Sequence, residues 1–401
     1  MCGIAGIISN IDETEVIYKM GLSLTHRGPD SEGKFIDREK GIYLSHNRLS
    51  ILDISNNGSQ PMLSNNSNFI ILFNGEIYNH LEIRKKINKN SNNNFSWKGT
   101  SDTETLLEAI SFFGISKTLQ LCRGMFAFAL YDKSKQTVTL ARDVCGEKPL
   151  YYGFIKKRFI FASEIKAIIQ HPAFDKKINE KSLNLYLQFN FIPEPYSIFQ
   201  NIYKLEKSTY LVFSINSNNI VKKSKYYEFE SEKNYNRSSE DELHDLLKGS
   251  VQEQMISDVP IGTFLSGGVD SSLITALCKD LSKNKIDTFN ISYENKEFDE
   301  SSYAKKISKH LNTNHHDIRF DQTSVKDIIP DLGKVYCEPF ADRSQLPMIF
   351  LSKYTSNFKK VVLSGDGADE LFAGYNRHIN AKKILLLNRL IPFSIRKNLS
   401  L

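Results

Sequence analysis

The hydrophobic pattern of the chain changes within residues 206–239, and this change constrains the fold more than any other feature. Upstream of it, short apolar runs such as Ile4–Ile8 and Phe69–Phe73 end at turn-forming residues. Runs of this kind are typical of strands. Two segments of helical pattern, near Glu13–Leu24 and Thr103–Phe113, interrupt them. We therefore expect a β-rich first half.

Downstream of the change, strand-like runs alternate with helical segments. The strand-like runs are Ile261–Leu265, Thr288–Tyr293 and Lys360–Leu363, and the helical segments that follow them are Ser271–Leu281, Ser301–Leu311 and a stretch from Asp369. Such alternation predicts a doubly wound parallel sheet. The predicted organisation is a first domain over 2–205, a polar, irregular boundary region over 206–239 and a second domain over 240–401.

Composition excludes several classes of protein. The 401 residues suggest two domains, and 40% hydrophobic with 24% charged residues is typical of globular proteins. The net charge of +6 is scattered, so no nucleic-acid surface is predicted. The five cysteines form no CxxC pair, which favours a reducing, cytoplasmic compartment over disulfides or a zinc site. Without an apolar run of about 18 residues, no membrane partner is expected.

The stretch LSGGVDSS (265–272) follows a predicted strand and opens a predicted helix. Two glycines let the backbone approach an anion closely, and the helix start offers unpaired N–H groups and a positive dipole end. Three serines add hydroxyl groups, and Asp270 adds a carboxylate suited to Mg²⁺. The stretch is not a Walker A loop, because it contains no lysine. A turn that merely caps a helix is the weaker alternative.

A second strand end reads VVLSGDGADELFAGY (361–375). Asp366, Asp369 and Glu370 share one face if the segment is helical, and three like charges together destabilise a helix unless a cation is bound. The alternative is that Asp366 or Asp369 is a helix cap. Because open parallel sheets bind ligands at the carboxyl ends of their strands, both loops are predicted to meet at a metal and phosphate site.

The first half carries a different set of motifs: HRGPDS (26–31), HNRLSIL (46–52), NGEIYN (74–79) and TSDTE (100–104). An amide side chain beside a glycine N–H at a strand end can form an oxyanion hole. Arg48 can pair with a carboxylate, and Asp102 with an ammonium group. Ser101 and Glu104 are also explained as a capping box, and each motif alone as a turn. Together they suit an α-amino acid with a side-chain amide.

Cys2 is the predicted nucleophile for that amide. Once Met1 is removed, the α-amine of Cys2 has a reference pKa of about 7.7–8.0 and can act as base toward the thiol of its own residue. No separate catalytic histidine is then needed. The other four cysteines lie in apolar or turn contexts and are interpreted as structural.

These motifs resemble those of the glutamine-hydrolysing asparagine synthetases, which join a class II glutamine amidotransferase domain to an ATP-pyrophosphatase synthetase domain. The resemblance runs from residue 2 to about 377, through MCGIAG, HRGPD, NGEIYN, SDTE, SGGVDSS and SGDGADELFAGY. It implies an αββα sandwich of the N-terminal nucleophile hydrolase type, followed by the doubly wound sheet. It also implies the glutaminase residues: catalytic Cys2, Asn74 and Gly75, and glutamine-binding Arg48, Leu49, Ser50, Ile51, Leu52, Asn74, Gly75, Glu76 and Asp102.

For the second domain, the resemblance implies that ATP activates a carboxylate as its adenylate, which ammonia then attacks. The expected cofactors are ATP and Mg²⁺, with Mg²⁺ on Asp270 and Asp369 and the intermediate near Asp366. The expected ATP-binding residues are Leu265, Ser266, Gly267, Gly268, Asp270, Ser271, Ser272, Ile291, Ser364 and Gly365. The expected partners are small molecules, namely glutamine, ATP and a carboxylate; a homodimer is one allowed assembly.

The sequence departs from the family pattern at three places. Asp366 stands where some members have glutamate. Cys337 and Arg343 lie in CEPFADRSQLP (337–347), where the family commonly reads DEPFADSSQLP, and this leaves the acceptor open. The chain also ends at Leu401, before the family's RxPFLD-like segment and late lysine, so an incomplete synthetase domain is expected.

Three functions follow as hypotheses. The first is glutamine-dependent and ATP-dependent conversion of aspartate to asparagine, with release of AMP and pyrophosphate. The second is amidation of another carboxylate, such as a sugar acid in polysaccharide synthesis. The third is a glutaminase with a degenerate or truncated synthetase domain.

Overall fold

A computed structural model describes residues 1–92, 95–229, 239–297 and 299–390. The chain forms two compact units. The first comprises Met1–Leu246, Ile256–Val259 and Lys326–Leu346, and the second comprises Leu247–Met255, Pro260–Val325 and Pro347–Leu401. Among the described residues, no helix has both the length and the apolar character needed to cross a membrane.

The first unit contains two antiparallel sheets. Its strands are β1 (Gly3–Ile8), β2 (Ser31–Asp37), β3 (Ile42–Arg48), β4 (Met62–Leu63), β5 (Phe69–Ile77), β6 (Gly124–Asp132), β7 (Thr137–Arg142), β8 (Tyr151–Ile155), β9 (Arg158–Ala162), β10 (Ile202–Lys204), β11 (Thr209–Ser214) and β12 (Asn219–Lys225). The strand order is β10-β8-β9-β1-β3-β2 in one sheet and β12-β11-β7-β6-β5-β4 in the other.

Helices cover the outer face of each sheet. They are α1 (Thr14–Leu22), α2 (His80–Asn90), α3 (Asp102–Phe113), α4 (Ile115–Leu121), α5 (Ile165–Ile168) and α6 (Glu180–Phe189). Side chains of α1 and α5, such as Ile17 and Ile165, pack on the sheet that holds β1. Side chains of α2 and α3, such as Ile83 and Leu106, pack on the sheet that holds β5. The first unit is therefore the predicted αββα sandwich.

The core between the two sheets is rich in aromatic side chains. Phe159 on β9 stacks on Phe213 on β11, with ring centroids 4.2 Å apart and an interplanar angle of 5°. Both side chains are fully buried among apolar residues of the two sheets. Because a ring of this size buries a large apolar area, this pair contributes strongly to holding the sheets together.

The second unit is built on a parallel sheet. Its strands are β13 (Ile261–Phe264), β14 (Asp287–Tyr293), β15 (Asn314–Phe320) and β16 (Val361–Leu363), in the order β15-β14-β13-β16. The α-helices that the structure describes from residue 239 onward are α7 (Glu240–Gln254), α8 (Val269–Leu281), α9 (Ser301–Leu311), α10 (Gln322–Ile328), α11 (Leu332–Val335), α12 (Gln345–Thr355), α13 (Ala368–Phe372) and α14 (Asn376–Leu390). Strands and helices alternate, so the predicted parallel α/β fold is confirmed.

The interpretation of 206–239 as irregular is wrong for its first part. Residues 209–225 form the hairpin of β11 and β12, which pairs with β7 and completes the second sheet. Polar residues obscured the hairpin, because β12 is an edge strand whose lysines face solvent, whereas Leu211 and Phe213 of β11 are buried. Residues 230–238 lie outside the described residues. The domain bounds themselves stay predictions.

Two further differences concern residues near the predicted glutamine site. The strand β5 does not end after Phe73 but continues through NGEI to Ile77, so the NGEIYN motif begins inside a strand. Helix α2 follows, and it is not one of the two helices whose positions were predicted in this half. Its mixed polar composition hides its short buried face of Ile83 and Ile87.

We expect Phe159→Ala to lower the free energy of unfolding of the first unit by about 3–5 kcal/mol, because it opens a cavity where two sheets meet. Denaturant unfolding followed by far-ultraviolet circular dichroism measures the change. The control is Phe112→Ala on α3, whose ring is 45% exposed, and it should cost far less. A loss below about 1 kcal/mol for Phe159→Ala would contradict the assigned packing.

Candidate active site

Strand β1 holds the start of the chain in the centre of its sheet. It pairs with β3 on one side and β9 on the other. The Ile4 N–H donates to Ser163 Oγ at 3.0 Å, and Arg27 Nε donates to the Cys2 carbonyl oxygen at 2.9 Å. Arg27 is itself fixed by Glu164, at 2.7 Å. Cys2 is therefore a well-ordered residue and not a frayed terminus.

The Cys2 thiol lies against the segment that follows β3. The Leu49 N–H donates to Cys2 Sγ at 3.4 Å. Burial raises the pKa of the thiol above its ordinary value, while this N–H and the neighbouring N-terminal amine oppose the shift. At neutral pH the thiol is thus largely protonated and needs a base before it can attack a carbonyl carbon.

Strand β5 directs a main-chain N–H toward the thiol side of the site. The Phe73 N–H donates to Gln60 Oε1 at 2.6 Å, and the Ile77 N–H donates to Asp102 Oδ2 at 2.9 Å. Residues two apart on an antiparallel strand point their N–H groups to the same side. The N–H of Gly75 therefore points between Gln60 and Asp102, into the space that Cys2 also lines.

Glycine is required at position 75 by close packing. A Cβ there would lie 2.1 Å from the Met125 carbonyl oxygen and 2.6 Å from Phe126 Cα. Beside it, the Asn74 amide is fully buried, and neither its oxygen nor its nitrogen has a hydrogen-bond partner among the described residues. A buried, unpaired amide is costly and indicates a group kept available for a ligand.

Two buried carboxyl groups complete the wall. Burial raises the pKa of Asp102 to about 6, against the lowering effect of the N–H groups of Ile77 and Thr103. The pKa of Glu76 is raised to about 7, chiefly by burial and next by the charge of Asp102, against the lowering effect of Lys148. Ionised carboxylates in such a place favour a cationic ligand group, because a positive charge would relieve the cost of their burial.

Arg48 does not meet a carboxylate in the structure. Its Nη1 donates to the Ser55 carbonyl oxygen at 3.0 Å, and its Nη2 donates to the carbonyl oxygens of Leu52 and Asp53. The guanidinium thus holds the loop after β3 in shape. Pairing with a substrate carboxylate remains a prediction for the donors that these contacts leave free.

The capping box at TSDTE is half confirmed. Ser101 Oγ accepts from the Glu104 N–H at 3.1 Å and caps α3. Glu104 does not reach back to Ser101. It accepts instead from the N–H groups of Lys98 and Gly99, at 2.7 Å and 3.0 Å, and pairs with Arg84. The motif therefore fixes the preceding loop, and with it Asp102.

The structure brings almost all the predicted glutaminase residues to one cavity. Its lining includes Cys2, Arg48, Leu49, Ile51, Leu52, Asn74, Gly75, Glu76 and Asp102. Ser50 is the exception: it is not among the lining residues, and its N–H donates to Asp30 Oδ2 at 2.8 Å. Sequence reasoning missed Gln60, Thr103 and Lys148. Lys148 lies in the stretch GEKPLYY (146–152), and no spacing rule links this stretch to Cys2.

In the second unit, the SGGVDSS loop joins β13 to α8 and contains hydrogen bonds between its own residues. Ser266 Oγ and Ser271 Oγ are 2.9 Å apart, and Ser272 Oγ donates to the Gly268 carbonyl oxygen at 2.5 Å. Gly267 has φ of +92°. Leu265 is anchored through its N–H to the Phe289 carbonyl oxygen of β14 at 2.9 Å. Of the predicted ATP-binding residues, Ile291 lies on β14, next to β13.

The loop after β16 lies against the SGGVDSS loop. A Cβ at Gly365 would lie 2.9 Å from the Ser271 nitrogen and 3.1 Å from Asp270 Cβ. Ser364 Oγ donates to Asp366 Oδ2 at 2.9 Å. Within the described residues, no group of three or more His, Cys, Asp or Glu side chains has the arrangement of a metal site. Mg²⁺ binding by Asp270 and Asp369 therefore stays a prediction.

The raised pKa of Glu76 generates a stability prediction. The native state holds a proton on Glu76 up to about pH 7, whereas the unfolded chain loses it near pH 4.5, so stability falls as the pH rises between these values. Glu76→Gln removes this loss. We expect the variant to gain up to about 3 kcal/mol over the wild type at pH 8 relative to pH 5.

Urea unfolding at both pH values measures this gain. The control variant is Glu15→Gln, an exposed residue of α1, which should follow the wild type at both pH values. Parallel stability curves for Glu76→Gln and the wild type would show that Glu76 is not destabilised by burial.

Comparison with known proteins agrees with this division of the chain. The family model described as a glutamine amidotransferase domain matches residues 1–227, and the asparagine synthase model matches residues 242–400. Together the two domains indicate a ligase that amidates with nitrogen from glutamine, and the synthetase family uses ATP.

Several curated proteins are similar over nearly the whole chain. "Putative asparagine synthetase [glutamine-hydrolyzing] 2" of Methanocaldococcus jannaschii is 38% identical over 98% of this chain and 79% of its own length. Asparagine synthetase [glutamine-hydrolyzing] 1 of Bacillus subtilis is 33% identical over 100% of this chain and 62% of its own length. Asparagine synthetase B [glutamine-hydrolyzing] of Escherichia coli is 29% identical over 96% of this chain and 67% of its own length. The chain therefore belongs to the family of the glutamine-hydrolysing asparagine synthetases.

Proposed function

We propose that this chain hydrolyses glutamine at Cys2 and delivers the ammonia to a carboxylate activated by ATP, aspartate being the first acceptor to test. The observation that carries the proposal is the single cavity in which Cys2, the unpaired Asn74 amide, Gly75, Glu76 and Asp102 meet. A thiol, two donors for an oxyanion and two carboxylates for an ammonium group are the parts that glutamine hydrolysis needs.

The first step is attack of the Cys2 thiol on the side-chain amide carbon of glutamine. After removal of Met1, the α-amine of Cys2 takes the thiol proton as the S–C bond forms. The amine then returns the proton to the leaving nitrogen as the C–N bond breaks, so ammonia leaves and a thioester remains. Water hydrolyses the thioester, which releases glutamate and the free thiol.

Oxyanion stabilisation falls to Asn74 and Gly75 in this proposal. The negative oxygen formed in both tetrahedral intermediates needs donors that are already in position. The Asn74 side-chain N–H is buried without a partner, and the Gly75 N–H points to the same space. Neither donor has to be released from another bond before it can act.

Recognition of the amino-acid end of glutamine falls to the remaining residues. Asp102 and Glu76 suit the α-ammonium group, whose charge would also lower the pKa of both carboxyl groups. The residues Arg48, Leu49, Ser50, Ile51 and Leu52 are proposed for the α-carboxylate and stem. Of these, Ser50 has the weakest support, because it is absent from the cavity lining.

We expect Asn74→Ala to lower the kcat of glutamine hydrolysis by about 10²–10³, since one oxyanion donor is lost. The KM should change much less, because the oxyanion exists only after attack. Glutamate release at saturating glutamine measures kcat. The matched control is Asn79→Ala, whose side chain binds the Leu121 carbonyl oxygen away from the cavity. An Asn74→Ala kcat within a factor of three of that control would reject the assignment.

For the second unit, we propose that ATP binds where the SGGVDSS loop and the loop after β16 adjoin. The residues Ser266, Gly267, Gly268, Asp270, Ser271 and Ser272 would hold its phosphates, and Leu265, Ile291, Ser364 and Gly365 would contact the nucleoside. Support comes from the loop's position at the start of α8 and from the close approach of Gly365.

Asp270 and Asp369 would hold Mg²⁺, which neutralises phosphate charge when bound. Their chemistry suits it, as hard oxygen ligands that leave further positions to phosphate and water. Asp366, on the neighbouring turn, is proposed to lie near the adenylate. The protein residues would bind the phosphates and orient the acceptor carboxylate toward the α-phosphorus.

The products of a complete reaction test this half of the proposal. With glutamine, ATP, Mg²⁺ and aspartate, we expect equal amounts of asparagine, AMP and pyrophosphate by mass spectrometry. Asp270→Asn should abolish AMP formation and leave glutamine hydrolysis in place. ADP in place of AMP would overturn the proposed adenylate chemistry.

The acceptor is open to the same assay, because Cys337 and Arg343 depart from the family's usual residues there. AMP release with a uronic acid, and not with aspartate, would identify a different carboxylate as the substrate. Glutamine hydrolysis without AMP release for any acceptor would identify a glutaminase. This chain spans 62% of the length of the Bacillus subtilis relative, and the assay uses the 401-residue chain.

A further inference from the structure

Lys148 is a buried cation in the wall of the glutaminase cavity. Lys148 is only 5% exposed, and it lines the same cavity as Cys2 and Glu76. A buried lysine normally has an ion-pair partner. Within the described residues, no carboxylate oxygen lies within the 4.0 Å of an ion pair to its Nζ. The side chain is held close to the nucleophile for a reason that packing alone does not supply.

The loop that carries Lys148 is stiff. The Lys148 N–H donates to Asp143 Oδ2 at 3.0 Å, and its carbonyl oxygen accepts from Arg142 Nε at 2.8 Å. Asp143 also accepts from the N–H groups of Cys145 and Glu147. Because both main-chain groups of Lys148 are fixed, its side chain starts from a defined point in the wall of the cavity.

The ammonium group of Lys148 lies beside the first residue of the chain. Lys148 Nζ donates to Met1 Sδ at 2.8 Å. In the mature chain required by the proposed function, Met1 is absent, and this contact is lost. The ammonium group and the new α-amine then belong to two residues, Lys148 and Cys2, that line the same cavity.

We propose that Lys148 is a positioning residue that keeps the α-amine of Cys2 unprotonated, and therefore basic, at neutral pH. The mechanism is electrostatic: a second positive charge is unfavourable near a fixed one in a site of low dielectric constant. The inference rests on the proposed function, because it concerns the amine that Met1 removal creates.

The other charged groups around the amine make a fixed cation useful. Arg27 approaches from the loop after α1, Arg48 from β3, Glu76 from β5 and Asp102 from α3. The two carboxylates favour a protonated amine, and the two arginines oppose it. Arg48 is bound to its own loop and Arg27 to Glu164, so Lys148 adds a cation that is not already neutralised by such contacts.

The N-terminal amine of the chain with Met1 in place already shows this balance. Its pKa is lowered to about 6, chiefly by burial and also by the charges of Arg27 and Lys148, against the raising effect of Cys2 and Glu76. Cys2 lines the same cavity as Lys148 and Glu76, and Arg27 donates to its carbonyl oxygen, so the same charges act on an amine one residue later. With Lys148 present, the amine of Cys2 is free to accept the thiol proton at pH 7.

The test is the pH profile of glutamine hydrolysis in Lys148→Met, with intact-mass measurement to show that Met1 has been removed. Removing the cation favours the protonated amine, so the acid limb of kcat/KM should move to higher pH by roughly one unit. Lys148→Arg keeps the charge and should keep the limb. The control is Lys223→Met, which removes a lysine from edge strand β12 and should leave the profile unchanged. An unshifted limb in Lys148→Met overturns the inference.

A direct measurement separates this inference from the proposed function. Competitive labelling of the N-terminal amine with acetic anhydride, in a Cys2→Ser background, gives the pKa of the amine without any turnover. We expect Lys148→Met to raise that pKa by roughly one unit there as well. An unchanged pKa rejects the role of Lys148 even if glutamine is hydrolysed. A wild-type chain that hydrolyses no glutamine rejects the proposed function, while the labelling result still decides the inference.

Discussion

The pairing of β1 between β3 and β9 is the constraint on which the glutaminase site depends. A chain terminus ordinarily frays, because it lacks hydrogen-bond partners on at least one side. Here the strand that begins one residue after Cys2 is paired on both edges. Arg27 and Ser163 then fix main-chain groups of Cys2 and Ile4. The residue proposed as nucleophile can therefore stand at a chain end and still hold one position relative to β5.

The site is assembled from strand edges and short loops whose polar groups are only partly satisfied. Asp102 and Gln60 each bind a main-chain N–H of β5 on either side of Gly75, and this leaves one N–H free between them. Arg48 shapes the loop after β3, and Arg84 with Glu104 shapes the loop before α3. Buried carboxyl groups and an unpaired amide destabilise the first unit, and the aromatic core between the sheets offsets this cost.

Much of this could be predicted from sequence, because the signals were local. The change of hydrophobic pattern within residues 206–239 separated the β-rich half from the half with the parallel sheet. Short motifs predicted Cys2, Asn74 and Asp102 as site residues, and the three line one cavity. The hairpin of β11 and β12 was missed, since an edge strand rich in lysine does not resemble a buried strand. Lys148 was missed because its proximity to Cys2 arises from a loop 146 residues away in the chain. Glu104 was assigned to the wrong partner, because the tertiary contacts of its carboxylate override the local capping rule.

One feature of the first unit bears on how the chain is made. Residues Lys326–Leu346 belong to that unit although they follow three strands of the other sheet in sequence. Glu338 from this segment accepts from the Ile198 N–H at 2.7 Å and pairs with Lys204 at 2.6 Å. During synthesis, Lys204 can therefore pair with Glu338 only after the ribosome has synthesised this segment. Most of the parallel sheet has been synthesised by then, so the last contacts of the first unit form only after much of the second is available to fold.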